Sequence, residues 1–595
     1  MSDYIYSSVT KKQGELSRYI KSIYHENPPV IFEFHGKWGS LAISQGHYRG
    51  FQPYETEQHI FIVIGGPVLY FSDNNFLIED DSNTASRLIY QRWVNHDNMK
   101  WDEDLSGSFN LLLIDKKIKK ITVLTDLMAF IPAYSYKTNN ELFIGTHIDA
   151  LASACEKSND FDHVSLADFI INDVVTYPYT SYTDIFQLPP ASIINFMSGS
   201  QKIKKYWQPN EVNNYKNIKE AAVDLREGVA GYVERITGKM TNVAQFISAG
   251  EDSRAISGIL PINLEKDAYI FLDHMNREGI IAKKVADVYD ARFIPVFRKK
   301  FHYIDILSEA SDLVGSCHQY IHAHSLCFAQ KSNLKNYSAV FGGYLSDTLL
   351  KLLYAKKRPR KGRFQFFPDL YVKKESYVET NKSILIRNNI LNSVNDRRKI
   401  RFNEIYKLRP ESAGEWFIIY PESMQCTISS LYVNRRLFKS YEPFLCKEVV
   451  KISASVPNSW KLNRKLFHFA MKPYLKQSKW ILHADGRLPY YNYMFNLPIQ
   501  FLVFIIREFA KKFGFFKGNQ GPWSDWLETI NDTKWEIFVK KSIENANIEN
   551  AKFLKKDIDI YKIIMSNSLS IRNKINVMQV LYLINKRSDV KKNHI

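Results

Sequence analysis

The sequence predicts a multidomain fold with α+β and α/β parts, on three observations. Its 595 residues exceed what one ordinary core organises. The first ~155 are dominated by apolar runs rich in Ile, Val, Phe and Tyr, which read as strands of a sheet-rich domain. From about residue 216 strands and helices alternate instead, as in a Rossmann-like parallel sheet, and beyond Leu349 the chain reads as largely helical.

In the region 1–155 the runs HIFIVIGGPVLYF, SFNLLLID, KKITVLTD and NELFIGT supply the strands. The polar break EKSNDFD opens a connector, 156–215, punctuated by the Pro189-Pro190 turn. The region 216–595 begins with a helix over 218–236, a strand over 243–247, a Gly-containing turn, a helix, and a strand over 268–273. Further strands are expected over 293–297 and 338–341. The most apolar stretch, Leu497 to Ile506, has about half the ~20 residues a spanning helix requires and ends at Arg507. It reads as a buried or interfacial helix, with core packing favoured over a membrane-surface role for the basic end at Lys511 and Lys512, and no membrane span is expected.

Hydrophobic residues at 45% and charged residues at 24% exclude disordered and collagen-like classes. The five Cys (155, 317, 327, 426 and 446) form no C-x-x-C pair, which excludes a disulfide framework and a zinc ribbon and suits a reducing, cytoplasmic setting. The opening MSDYIYSSVTKKQGE has no basic-then-apolar leader. Lys and Arg exceed Asp and Glu, 80 against 62, for a net charge of +18 that favours anionic partners without choosing among them. Cys317, His318, His322, His324 and Cys327 cluster on what reads as a helix, with His318 and His322 at i, i+4; histidines lining a cleft are favoured over a metal site. The basic RKGRFQFF run, 360–367, reads as a solvated loop before a nucleic-acid patch.

The chemistry concentrates in VAQFISAGEDSRAI, Val243 to Ile256. An apolar strand enters a small-residue turn at Ser248, Ala249 and Gly250, and Glu251, Asp252 and Ser253 open a helix. Such a turn lets backbone N–H groups approach phosphate oxygens, hydroxyls add donors, and the helix dipole favours the anion. Asp252 is placed to hold Mg²⁺ beside the polyphosphate. A second strand-to-helix turn, AVFGGYLSDTLL, carries Gly342, Gly343 and Asp347.

The first turn resembles the S-G-G-x-D-S pyrophosphate loop of the ATP-pyrophosphatase superfamily, with Ala249 for the first Gly, and the second resembles the G-E-G-A-D-E-L segment of asparagine synthetases. That resemblance implies ATP and Mg²⁺ as cofactors, Asp252 and Asp347 as metal ligands, Gly342 and Gly343 near the nucleotide, and Phe246 and Leu272 flanking the adenine. Tyr344 and Thr348 replace two Glu of the family, which argues against aspartate as substrate. Thr183 to Ala191 and Tyr206-Trp207 resemble the family's entry into the synthetase domain, and Tyr441 to Cys446 its R-x-P-F-L-D segment. His483 to Pro489 falls where the family places a catalytic Lys, leaving Arg487 as the cationic candidate.

Residues 104 to 151 resemble class II glutamine amidotransferases, which implies an Ntn-type antiparallel β-sandwich with helices. Its nucleophile is an N-terminal Cys; here Ser2 stands at that position and Gly65-Gly66-Pro67 replaces the glutamine-holding segment. Arg49 and Gln52-Pro53 resemble the substrate side, with packing the favoured role. The expectation is an ATP-dependent amide ligase without glutaminase activity, catalytic through Asp252, Asp347 and Arg487, joining a small-molecule, glycan or peptide carboxylate to ammonia or an amine. A pseudoenzyme scaffold and a nucleic-acid adenylase are the alternatives; the amidotransferase-like half weighs against nucleic acid, and a homodimer is left open.

Overall fold

The computed structural model describes residues 1–592 except 79–81, 96–98, 198, 358–366, 422–427, 514–518, 547 and 557. Cys426 and all of the RKGRFQFF run but Phe367 lie outside the described residues.

Two six-stranded antiparallel sheets form the N-terminal part. The first runs Ile185–Gln187, Tyr134–Lys137, Leu142–Gly145, Tyr4–Ser7, Gly39–Ser44 and Ile31–Gly36; the second runs Ser200–Lys205, Ser192–Met197, Lys120–Thr125, Phe109–Asp115, His59–Gly65 and Tyr54–Glu55. Side chains alternate across each strand, so Ile60, Ile62, Ile64, Leu112 and Ile114 fill the space between the sheets. Phe61, Val63 and Leu111 belong instead to a core shared with Leu225, Val229 and Val233 of helix Ile218–Thr237. Burial on both faces explains why these strands read as unbroken apolar runs.

The segment expected as a connector does more than connect. Its strand Ile185–Gln187 edges the first sheet, and after the Pro189-Pro190 turn the hairpin of Ser192–Met197 and Ser200–Lys205 edges the second. The sandwich therefore reaches Lys205.

The C-terminal part holds a five-stranded sheet, all of its pairs parallel, in the order Arg292–Phe297, Glu265–Leu272, Asn242–Phe246, Val340–Phe341, Ser440–Tyr441. The chain starts in the middle, builds outward to 292–297, then returns to the other side of 242–246. Strand order reverses there, and the crevice beyond the C-terminal ends of such strands is where α/β sheets bind ligands. The two loops singled out in the sequence both leave the sheet at this point.

Two expectations are corrected. The stretch 497–506 is not a core helix: it lies in helix Tyr493–Lys512, with Leu502, Ile506 and Phe509 exposed while Asn496 and Gln500 are buried. Its polar side packs inward and its apolar side outward. The Cys317–Cys327 segment is not a helix either, because Gly315 at φ 95° ends helix Leu307–Val314 and only a short 3-10 turn, Tyr320–His322, follows. His318 packs edge-on to Tyr432 at 4.9 Å and His324 meets Tyr303 Oη at 2.9 Å. Among the described residues no group of three or more His, Cys, Asp or Glu gathers as metal ligands.

The two parts are joined by charge as well as packing. Fully buried Asp3 accepts from Arg435 at 3.0 Å and from Arg436 at 2.8 Å, and takes a further bond from Thr146 Oγ1 at 3.0 Å. Although burial opposes ionisation, the two guanidiniums hold its carboxyl well below the usual range.

Candidate active site

Strand Asn242–Phe246 delivers the chain to a tight turn before helix Glu251–Ile259. The turn is tied by its own side chains. Ser248 N–H donates to Ser253 Oγ at 3.1 Å, Gly250 N–H to Ser248 Oγ at 3.0 Å, and Ala249 N–H to Glu278 Oε1 at 2.7 Å. Glu278 comes from helix Arg277–Val288, and burial pushes its carboxyl upward.

The second turn closes on the first because its glycines permit it. A Cβ on Gly343 would stand 3.2 Å from the Asp252 Cβ, and one on Gly342 would meet the Glu442 carboxylate at 2.3 Å. Ser346 Oγ then donates to Asp252 Oδ1 at 2.6 Å. Helix Ser346–Leu350 carries Asp347, and one turn later Lys351 Nζ sits 3.0 Å from Asp347, 3.1 Å from Glu251, and in contact with Asp252. A buried ammonium thus bridges three carboxylates. Against burial, those carboxylates hold Lys351 protonated, its pKa raised above the usual lysine value. Burial, reinforced by the charges of Asp347 and Glu251, pushes Asp252 up to about 6 even though Lys351 opposes the shift.

Two guanidiniums complete the cluster. Arg487 Nη1 pairs with Glu251 at 2.7 Å and its Nε with Asp485 at 2.9 Å, while Arg464 reaches Glu251 at 3.2 Å. Burial disfavours the charge on Glu251, but Arg487, Lys351 and Arg464 outweigh it and keep the carboxyl well below its usual range. The cluster opens into a cleft of about 920 Å³ lined by Glu251, Asp347, Lys351, Arg464 and Arg487, with the inner side of helix Tyr493–Lys512 as another wall.

Of the residues chosen from the sequence, Glu251, Asp347 and Arg487 line this cleft, and Ser248, Ala249, Gly250, Asp252, Ser253, Gly342 and Gly343 build the two loops behind them. Phe246 packs between Phe328 and Phe438, ring centroids 6.0 and 5.9 Å away, and Leu272 is fully buried against Gly279. Neither side chain is among the described residues lining the cleft. The sequence reading missed Lys351, although its i, i+4 spacing from Asp347 was a usable signal. It also missed Arg464 and Glu442. Glu442 is buried, accepts Tyr344 N–H at 3.1 Å, and is pushed by burial up to about 8.

In the N-terminal part, buried Ser2 donates its N–H to Ser44 O at 3.1 Å, and its carbonyl accepts from Arg435. A Cβ on Gly66 would strike the Tyr48 ring at 2.2 Å. Where Gly66 faces the C-terminal part lies a cavity of about 20 Å³, bordered by Tyr48, Gly66, Tyr232, Arg435 and Glu442. That volume holds little more than one water. Arg49 donates to the Ile78 carbonyl at 2.6 Å, a packing role.

The family described as glutamine amidotransferase domain matches residues 39–207. The glutamine-hydrolysing asparagine synthetase 3 of Bacillus subtilis (strain 168) is 23% identical over 247 residues, 39% of this chain and 40% of that protein, so the chain spans well under half the length of this relative. Among solved structures, an allosteric regulatory enzyme of purine biosynthesis is similar at TM-score 0.25 and 8% identity, covering 49% of this chain and 80% of the other. A glutamine phosphoribosylpyrophosphate amidotransferase from B. subtilis is similar at TM-score 0.24 and 9% identity, covering 51% and 92%. Residues 39–207 thus match a glutamine amidotransferase domain, and part of the chain is similar to an asparagine synthetase.

Proposed function

We propose that the protein is an ATP-dependent, AMP- and pyrophosphate-forming amide ligase that adenylates a carboxylate and passes the acyl group to ammonia or an amine. The observation that carries this reading is the convergence of Asp252 and Asp347, from separate loops at the sheet's switch point, on one cation beside a cleft with two further guanidiniums. The carboxylate pair fits Mg²⁺, because it already holds a positive charge, that of the Lys351 ammonium. Asp252 and Asp347 would hold the ion, which supplies charge neutralisation of the polyphosphate.

The chain's own groups would then act as follows. A substrate carboxylate oxygen attacks the α-phosphorus, the bond to the β-phosphate breaks, and pyrophosphate leaves against Lys351, Arg464 and Arg487. Charge developing on the leaving oxygens is met by cations already in place, a contribution of about 3–4 kcal/mol per well-placed donor. The amine then attacks the acyl carbon and AMP departs. Phosphate oxygens would exchange for Ser248 Oγ and Glu278 as partners of the Gly250 and Ala249 N–H groups.

Nitrogen would not come from glutamine hydrolysed in this chain. Support lies in Ser2, held by Ser44 and Arg435, and in the small volume of the cavity bordered by Tyr48, Gly66, Arg435 and Glu442. The test is calorimetric titration of Mg²⁺-ATP into wild type and Asp252→Ala, with pyrophosphate release assayed across uronic acids, amino acids and peptides. Binding lost in the variant and pyrophosphate released with one carboxylate class support the ligase. Wild type that fails to bind ATP leaves a scaffold instead.

A further inference from the structure

Helix Tyr493–Lys512 is amphipathic the wrong way round for a helix on a water-facing surface. Met494 is 70% exposed, Leu502 58%, Ile506 55% and Phe509 58%, and these positions recur at the spacing that lines one side of a helix. The opposite side is polar and anchored. Leu488 N–H donates to Asn496 Oδ1 at 2.7 Å, Asn496 Nδ2 donates to the Leu488 and Tyr491 carbonyls at 3.0 Å each, and Val503 packs against Gly486. By length and composition this helix could cross a bilayer. Its inner side is held against the cleft wall, so the geometry is that of a helix lying in a surface.

Aromatic and basic side chains extend the apolar strip. Trp480, 64% exposed, meets Tyr491 at 5.1 Å, and Tyr491 stacks on Phe495 at 4.3 Å. Amphipathic rings of this kind favour the level of lipid headgroups. Lys479 lies against the Trp480 ring at 5.8 Å and Lys472 against Tyr490 at 5.0 Å, while exposed Lys512 ends the helix. An apolar strip bordered by lysines, on a chain of net charge +18, is complementary to an apolar layer beneath anionic headgroups.

We propose that this helix docks the protein on the surface of an anionic lipid bilayer, with Met494, Leu502, Ile506 and Phe509 inserted among the acyl chains and Lys472, Lys479 and Lys512 at the headgroups. The inference is independent of the ligase reading, since none of these seven side chains lines the cleft.

Cosedimentation of the full chain with vesicles tests it. The lipids are phosphatidylcholine alone or mixed with phosphatidylglycerol. Wild type should bind the anionic vesicles at least ~10-fold more tightly than the neutral ones, less so as salt rises. The triple variant Leu502→Glu, Ile506→Glu, Phe509→Glu should weaken binding by ~10-fold or more, with an unchanged thermal midpoint. Because the lysines are tested separately, Lys472→Glu with Lys479→Glu should remove the anionic preference. Equal binding by wild type and the triple variant, equal binding to both vesicle types, or none to either overturns the proposal. So does a wild-type dimer in solution that the triple variant converts to monomer without any vesicle binding, which would make the strip an interface between copies.

Discussion

Lys351 holds the site's charge balance, because three carboxylates converge on one ammonium in a buried setting. Replacing it by Met should lower pyrophosphate release by ~10²–10³-fold, whereas Lys351→Arg should retain more of it. Mg²⁺ should raise the thermal midpoint of Lys351→Met more than that of wild type, since the ion relieves repulsion that the lysine no longer screens. Differential scanning with and without the ion reads this directly. Glu442 gives a pH prediction. Its pKa is raised to about 8 in the folded chain against an ordinary value of 4.5, so between those values the native state keeps a proton the unfolded state has lost. Stability from this group is full at low pH and falls as pH rises through that window, by at most about 1.4 kcal/mol per pH unit. Glu442→Gln should flatten that fall, as denaturant titrations at pH 5 and pH 8 would reveal.

The loops at the ends of the strands work because two glycines let them nearly touch. A side chain at Gly343 must push the 342–346 turn away from Asp252, so Gly343→Val should weaken Mg²⁺-ATP binding by ~10-fold or more while circular dichroism stays near wild type. These elements were legible in the sequence: strand, small-residue turn and acidic helix start in 243–256 and again in 339–350 predict two loops at one sheet edge. Of what fills the space between them only Lys351, one turn after Asp347, was legible; Arg464 and Glu442 reach it from two other segments, and nothing in local spacing joins either to 347 or 351. The 497–506 helix shows a second limit. Hydropathy located its apolar residues, but only the buried Asn496 and Gln500 show that its apolar side faces out.

Across the whole molecule, the sandwich and the parallel sheet share one core, and Asp3 ties them through Arg435 and Arg436. Asp3→Ala leaves two guanidiniums buried without their carboxylate and should cost about 3–5 kcal/mol. Both halves should lose that stability together, in one calorimetric transition. The sequence predicted two domains, and the residues that make them a single unit lie 432 positions apart, beyond any local pattern. A domain that stands free can be trimmed by deletion at little cost to its neighbour. This one cannot: Arg435 and Arg436 of the C-terminal half take their counter-charge from Asp3, and helix Ile218–Thr237 shares its apolar interior with Phe61, Val63 and Leu111, so removing the sandwich would leave buried cations uncompensated and apolar surface bare.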